Sequence, residues 1–283
     1  MCRRFFLVPW QVCYPVLQVS SSKSALQAFF EALFRKGKAR AAAEPAQSRS
    51  AYIARPPRLR TDLGEHLRNA IFVAHEDRGA FGIYNLSLGG MALGVRPGAV
   101  GTPALETILE GQLRIHDSEY PLALKISHVS SQMVGGPFVR TPPKFRERLL
   151  GQLAAEFQAA HVAPIRTELL KPEEDGRPIF FCGSDGTELK IVERDGRIVR
   201  FHMGFLGMYI EGDGQGRVQF GLIYEDNRSG GKPVFKGATL IGRPMPFNAE
   251  TQMLAARFVV YVEGLEPRLR DQLLEILAGA VSA

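Results

Sequence analysis

The chain has 283 residues, 45% hydrophobic and 23% charged, enough for one large core or two ordinary ones and unlike a disordered or fibrous chain. Thirty-five basic against 29 acidic side chains give a net charge of +6 and a pI near 9.3. That balance raises nucleic acid, anionic lipid or a phosphorylated small ligand as partners without choosing among them.

In chain order, Met1-Cys2-Arg3-Arg4 precedes an apolar run from Phe5 to Val19 that resembles a secretory leader. Pro9, Gln11, Pro15 and Gln18 interrupt it, and no small-x-small cleavage site follows, so the reading favours an extension outside the folded unit. Ser24 to Lys36 carries Leu26, Phe29, Phe30, Leu33 and Phe34 at i, i+3, i+4, i+7 and i+8, one apolar helical stripe. Its occupants stay open: the protein's own body, a second copy in a homo-oligomer, a partner or a membrane surface, the last because Arg35-Lys36-Gly37-Lys38 follows. Residues 1–60 hold eleven basic and two acidic side chains, a charge of +9. The other 223 residues hold 24 and 27, a charge of −3. The basicity is therefore an arm, and a whole-protein nucleic-acid surface is not expected.

From Leu67 the signals are β. Runs at 69–74, 80–84, 91–95, 112–116, 122–129 and 134–139 are broken by Gly, Pro and Asp, and a helix is predicted from Pro143 to about His161. A second pass predicts strands at 179–182, 188–192, 198–203, 208–211, 218–224, 234–241 and 256–262, then a helix from Pro267 to about Ala278. Asp195-Gly196 and Gly212-Asp213-Gly214-Gln215-Gly216 read as hairpin turns. Pro143–Leu150 and Pro267–Leu274 agree in charge type or apolarity at seven of eight positions, and Tyr84–Leu93 aligns with Phe201–Ile210. Two landmarks in one order suggest duplication, with Asn227–Gly231 as the loop that absorbs their different offsets. The expected organisation is a basic extension at 1–50, one domain at 51–163 and a second at 164–283.

Asn85-Leu86-Ser87-Leu88-Gly89-Gly90 lies between two strand runs. Asn85 and Ser87, two apart on extended chain, share a face and offer donors and acceptors to one ligand. Gly89 and Gly90 permit a turn or a close approach.

In this setting the sequence resembles the PilZ family, whose second motif is Asp or Asn, any residue, Ser, two residues, then Gly; Asn85, Ser87 and Gly90 match it in place. Gly111-Gln112-Leu113, Gly135-Gly136-Pro137-Phe138 and the helix Phe145–Leu153 follow the family outline in order, over about residues 51–161. The resemblance implies a six-stranded antiparallel β-barrel closed by a C-terminal α-helix, and through the repeat a degenerate second barrel. It also implies a bacterial, cytoplasmic receptor for cyclic di-GMP, with Asn85 and Ser87 on the guanine edge beside Gly89 and Gly90. The family's first motif, Arg, three residues, Arg, becomes Arg55-Pro56-Pro57-Arg58-Leu59-Arg60, with spacings of three, two and five. The resemblance implies that Arg55, Arg58 and Arg60 clamp phosphates and bases in an altered register, the basic arm closing over the barrel rim to signal to an unnamed protein partner. The alternative is a nucleotide-independent adaptor of the same fold. In the second half, His202 and Gly204 align with Asn85 and Ser87 and only Gly207 is kept, so that site reads as lost.

Other chemistry is thin. The six histidines are scattered singles, and no metal site, cofactor or catalytic constellation is expected. Gly212–Gly216 lacks the Lys-Ser/Thr and helix of a phosphate loop. Cys182, between Phe181 and Gly183, reads as a buried thiol, and Glu173, Glu174 and Asp175 as a solvated turn.

Overall fold

The computed structural model describes residues 57–75, 79–95, 102–224, 240–241, 245 and 247–282. The 24–36 helix, Arg55, the 227–231 loop and most of the 234–241 strand lie outside the described residues.

The first half is built of β1 (Leu59–Arg60), α1 (Glu65–Arg68), β2 (Ile71–Ala74), β3 (Ala80–Ser87), β4 (Gly90–Gly94), β5 (Ile108–Ile115), β6 (Ser118–Lys125), β7 (His128–Val129) and β8 (Met133–Arg140). Two short helices follow, α2 (Phe145–Gln152) and α3 (Ala154–Ala159). Strand alternation places Leu109, Leu113 and Ile115 of β5 inside, with Leu86, Leu93, Leu124 and Val134 from the other strands. The antiparallel order β3-β2-β5-β6-β8-β4 returns to β3, closing a six-stranded barrel. Closure depends on a seam of glycines. β8 pairs with β4 through Met133–Pro137 and with β6 through Phe138 and Arg140, and a Cβ on Gly90 would sit 2.3 Å from the Gly136 carbonyl oxygen. The predicted continuous helix to His161 is divided at Leu153, so α3 can turn to face the second half.

The second half comprises β9 (Ala163–Ile165), a 3-10 turn at Thr167–Leu169, β10 (Arg177–Cys182), β11 (Glu188–Arg194), β12 (Arg197–Phe205), β13 (Met208–Asp213), β14 (Arg217–Tyr224), β15 (Leu240–Ile241), α4 (Ala249–Tyr261), α5 (Pro267–Ala278) and β16 (Val281–Ser282). Type I′-like turns with positive φ at Asp195-Gly196 and Leu206-Gly207 connect neighbouring strands, matching the hairpin reading at Asp195-Gly196. The degenerate second barrel expected here is not formed among the described residues. β9 to β15 make an antiparallel meander in chain order, with no pair joining its first and last strands, while β16 adds in parallel beside β14.

One strand expectation is also corrected. Residues 256–261 belong to helix α4, with Val262 as its C-cap, and not to a strand. Asn248 caps that helix, its side chain accepting from the Thr251 amide, and Thr251, Ala255, Phe258 and Val259 turn one buried stripe inward. The run Phe258-Val259-Val260-Tyr261 has β propensity, which the burial of that stripe overrides. Barrel and meander fall in one compact unit, Ser48–Ala283, in which α3 packs on α4 and Phe258 stacks on Phe205 at 4.5 Å.

Candidate functional site

Leu59 and Leu86 face each other across the β1–β3 pair, both fully buried, so Arg60 and its partner Asn85 share the outer face of the barrel. A bulge in β3 sets this phase. Pairing with β4 slips between Ile83 and Asn85, so Tyr84 and Asn85 are both turned away from the core. Extending the antiparallel register by one residue brings exposed Arg58 level with Ser87. Two residues of strand separate Arg58 from Arg60 by about 7 Å, a span over which two guanidiniums bracket one anionic ligand. Arg55 lies outside the described residues, so the shared outer face is that of Arg60 and Asn85 with exposed Arg58 beside them, while Ser87 is buried.

Arg60 grips Asp62 through two bonds, of 3.1 and 2.7 Å, and the guanidinium holds the Asp62 carboxyl below its usual range. Both side chains are more than half exposed, so the pair is worth little and an incoming anion displaces it at small cost. Tyr84, 48% exposed on the same face, puts a flat aromatic surface beside these cations. Nothing in the sequence marks Tyr84, because its outward position depends on the bulge.

Ser87 has a more local task than the resemblance implies. Its hydroxyl donates to the Gly90 carbonyl at 2.9 Å and accepts from the Gly90 amide at 3.1 Å, and its residue is 6% exposed. It therefore fastens the Leu88-Gly89 turn. Gly90 belongs to the β4–β8 seam. A Cβ added at Gly89 would meet nothing within 4 Å, and the Gly89 carbonyl accepts from the Phe138 amide at 2.9 Å, which leaves the outer side of this residue accessible.

The equivalent hairpin in the second half turns at Leu206-Gly207, one residue later than the sequence alignment places it. Matching turn to turn puts buried Met203, not His202, where Asn85 stands. A slip of one reverses the face of every side chain. His202 instead lies 3.1 Å from Glu188 on the sheet's polar face. That face holds a groove of about 410 Å³ lined by Lys190, Arg200, His202, Glu211 and Arg217 among others. Its cations are already engaged: Lys190 and Arg200 by Glu173, Arg200 also by Asp175, Arg217 by Asp213. The 173–175 turn is thus an internal counter-charge and not simply a solvated loop. Cys182 is half-buried in β10, and burial pushes its thiol upward.

A buried ionic cluster at the junction of the halves has no signal in the sequence. Glu156 of α3 is completely buried, 2.6 Å from His66 Nε2 of α1 and 2.5 Å from Arg257 Nε of α4. Burial pushes the Glu156 carboxyl up, but the close approach of His66 and the bond from Arg257 outweigh that and hold it below the ordinary glutamate value. Tyr261 edges against His66 at 5.7 Å, and burial raises its phenol far above the ordinary range. His116 stacks on His66 at 5.9 Å, and burial lowers its pKa.

Among the described residues no group of three or more His, Cys, Asp or Glu side chains is placed to hold a metal ion, and no helix is long and apolar enough to cross a membrane. No protein-family model matches this chain, and no curated protein matches it significantly.

Proposed function

We propose that this chain is a PilZ-type receptor for cyclic di-GMP whose ligand lies on the outer face of the barrel, across β1 and β3. The observation that carries this reading is the pairing of Arg60 with Asn85 on one exposed face, with Arg58 beside them. Permanently charged guanidiniums suit a ligand with two phosphates, and guanine offers its edge to the Asn85 amide and its ring to Tyr84. Arg55 adds a third cation from the arm, and Gly89 leaves room for close approach. In this reading the protein works in the bacterial cytoplasm without a metal or catalytic step, and the second half, a degenerate relative of the first, meets the protein partner.

A second reading, the nucleotide-independent adaptor, is favoured by Ser87, whose hydroxyl is committed to its own turn, and by Asp62, which already occupies Arg60. Calorimetric titration of the full chain with cyclic di-GMP separates the two. The receptor reading expects micromolar or tighter binding that weakens at least tenfold in Arg60→Ala, the loss of a charge-assisted hydrogen bond being about 1.5–3 kcal/mol. No heat at high protein concentration leaves the adaptor.

A further inference from the structure

The segment joining β1 to β2 is held from both halves of the molecule. Thr61 is buried and bonds the Ile83 carbonyl of the barrel through its hydroxyl, and Leu67 is fully buried. Between them the strap meets the second half. A Cβ on Gly64 would stand 2.9 Å from the Tyr261 hydroxyl, so that phenol lies directly against the strap's backbone. The His66 ring meets Tyr261 edge-on and reaches Glu156, and the same Glu156 oxygen meets Arg257. Arg257 also donates to the Gln152 carbonyl at 2.6 Å, which fixes its guanidinium between α2, α3 and α4. His66 Nε2, Glu156 Oε2 and the Tyr261 hydroxyl form no well-aligned hydrogen bond among the described residues, so His66 meets Glu156 as a close 2.6 Å polar approach and the junction is incompletely satisfied.

We propose that Glu156 is a joint through which helix α4 of the second half sets the position of the strap Thr61–Arg68, and with it strand β1, which carries Arg60 and is preceded directly by Arg58. Glu156 is a positioning residue: it touches the strap through His66 and the second half through Arg257. A buried carboxylate shared by two such partners is stiff in this arrangement, because losing either one leaves a charge buried and poorly compensated. A displacement of α4, by a partner or a neighbouring segment, is then passed to α1 and on to β1 instead of being absorbed. The inference rests on these contacts and stands whether or not the outer face binds a nucleotide.

Hydrogen–deuterium exchange on the full chain tests it. Arg257→Met keeps the aliphatic stem and removes the charge. The expected result is at least tenfold faster exchange of amides in Thr61–Arg68, with Ile108–Lys125 of the barrel unchanged. Arg257→Lys, which keeps the charge and a single donor group, is expected to recover part of the protection, and it carries the same comparison if the methionine variant does not fold. Unchanged protection of Thr61–Arg68 in the variants overturns the proposal, as does equal loss throughout the barrel, which would make the cluster general glue.

Discussion

Replacing Gly90 with alanine asks whether this glycine serves the barrel seam or a ligand. An added Cβ would lie 2.3 Å from the Gly136 carbonyl oxygen and 3.0 Å from the Pro137 Cα, both backbone atoms that no rotamer change can move aside. An ordinary carbon–oxygen contact needs about 3.3 Å, so β4 and β8 must part by about 1 Å along a ladder that runs from Gly90–Pro137 to Gly94–Met133. Overpacking of this kind costs about 1–3 kcal/mol, and at about 2–4 °C per kcal/mol the melting midpoint should fall by about 2–12 °C. The adjacent Gly89→Ala is the control. Its Cβ meets nothing within 4 Å and its φ is not positive, so the variant should match or slightly exceed wild type. Melting both variants without ligand, followed by circular dichroism, makes the comparison. A Gly90→Ala midpoint at or above that of Gly89→Ala would refute the seam argument.

The remaining expectations concern the junction and the helix that sequence patterning missed. Because Glu156 is held below its ordinary value of 4.5, the unfolded chain binds its proton more readily, and the contribution to stability is present above about pH 4.5 and lost as pH falls through the folded value. Urea midpoints measured from about pH 6 downward should therefore fall less steeply in Glu156→Gln than in wild type, and an equal slope counts against the assignment. Asn248→Ala removes the 2.9 Å bond that caps α4 and should cost about 1 kcal/mol in urea denaturation, whereas no loss would mean that the cap is idle.

The strands are largely legible in the sequence because their signals are local. In the predicted strand at 112–116, Leu113 and Ile115 alternate with Gln112 and Arg114, and Asp195-Gly196 supplies the positive φ that a tight hairpin requires. The candidate site is legible in part. Asn85 and Arg60 do share a face, but the phase of β3 around Asn85 is set by the Ile83–Asn85 bulge, and a bulge is a mismatch between two strands that neither shows alone. Ser87 and Gly90 stand out in the motif, yet their first task is structural, since turn fastening and seam clearance emerge only when β4 and β8 are side by side. Glu156 is invisible. It is one glutamate in Ala-Ala-Glu-Phe-Gln until α1 and α4 bring His66 and Arg257 to it.

By itself the sequence determined the net charge of +6 and its division into a basic arm and a slightly acidic remainder, most strand and turn positions among the described residues, and the helical stretches after Pro143 and Pro267, but not helix α4 or the break at Leu153. Tertiary structure alone decided that the first set of strands closes and that the second, in its described residues, stays open. Closure is a matter of which distant edges meet, β3 with β4 and β4 with β8, and the β4–β8 pairing brings backbone too close at Gly90 and Gly135 for a Cβ. It also decided where Arg58 and Arg60 point, because a strand's outward face exists only once Leu59 and Leu86 have an inside to occupy.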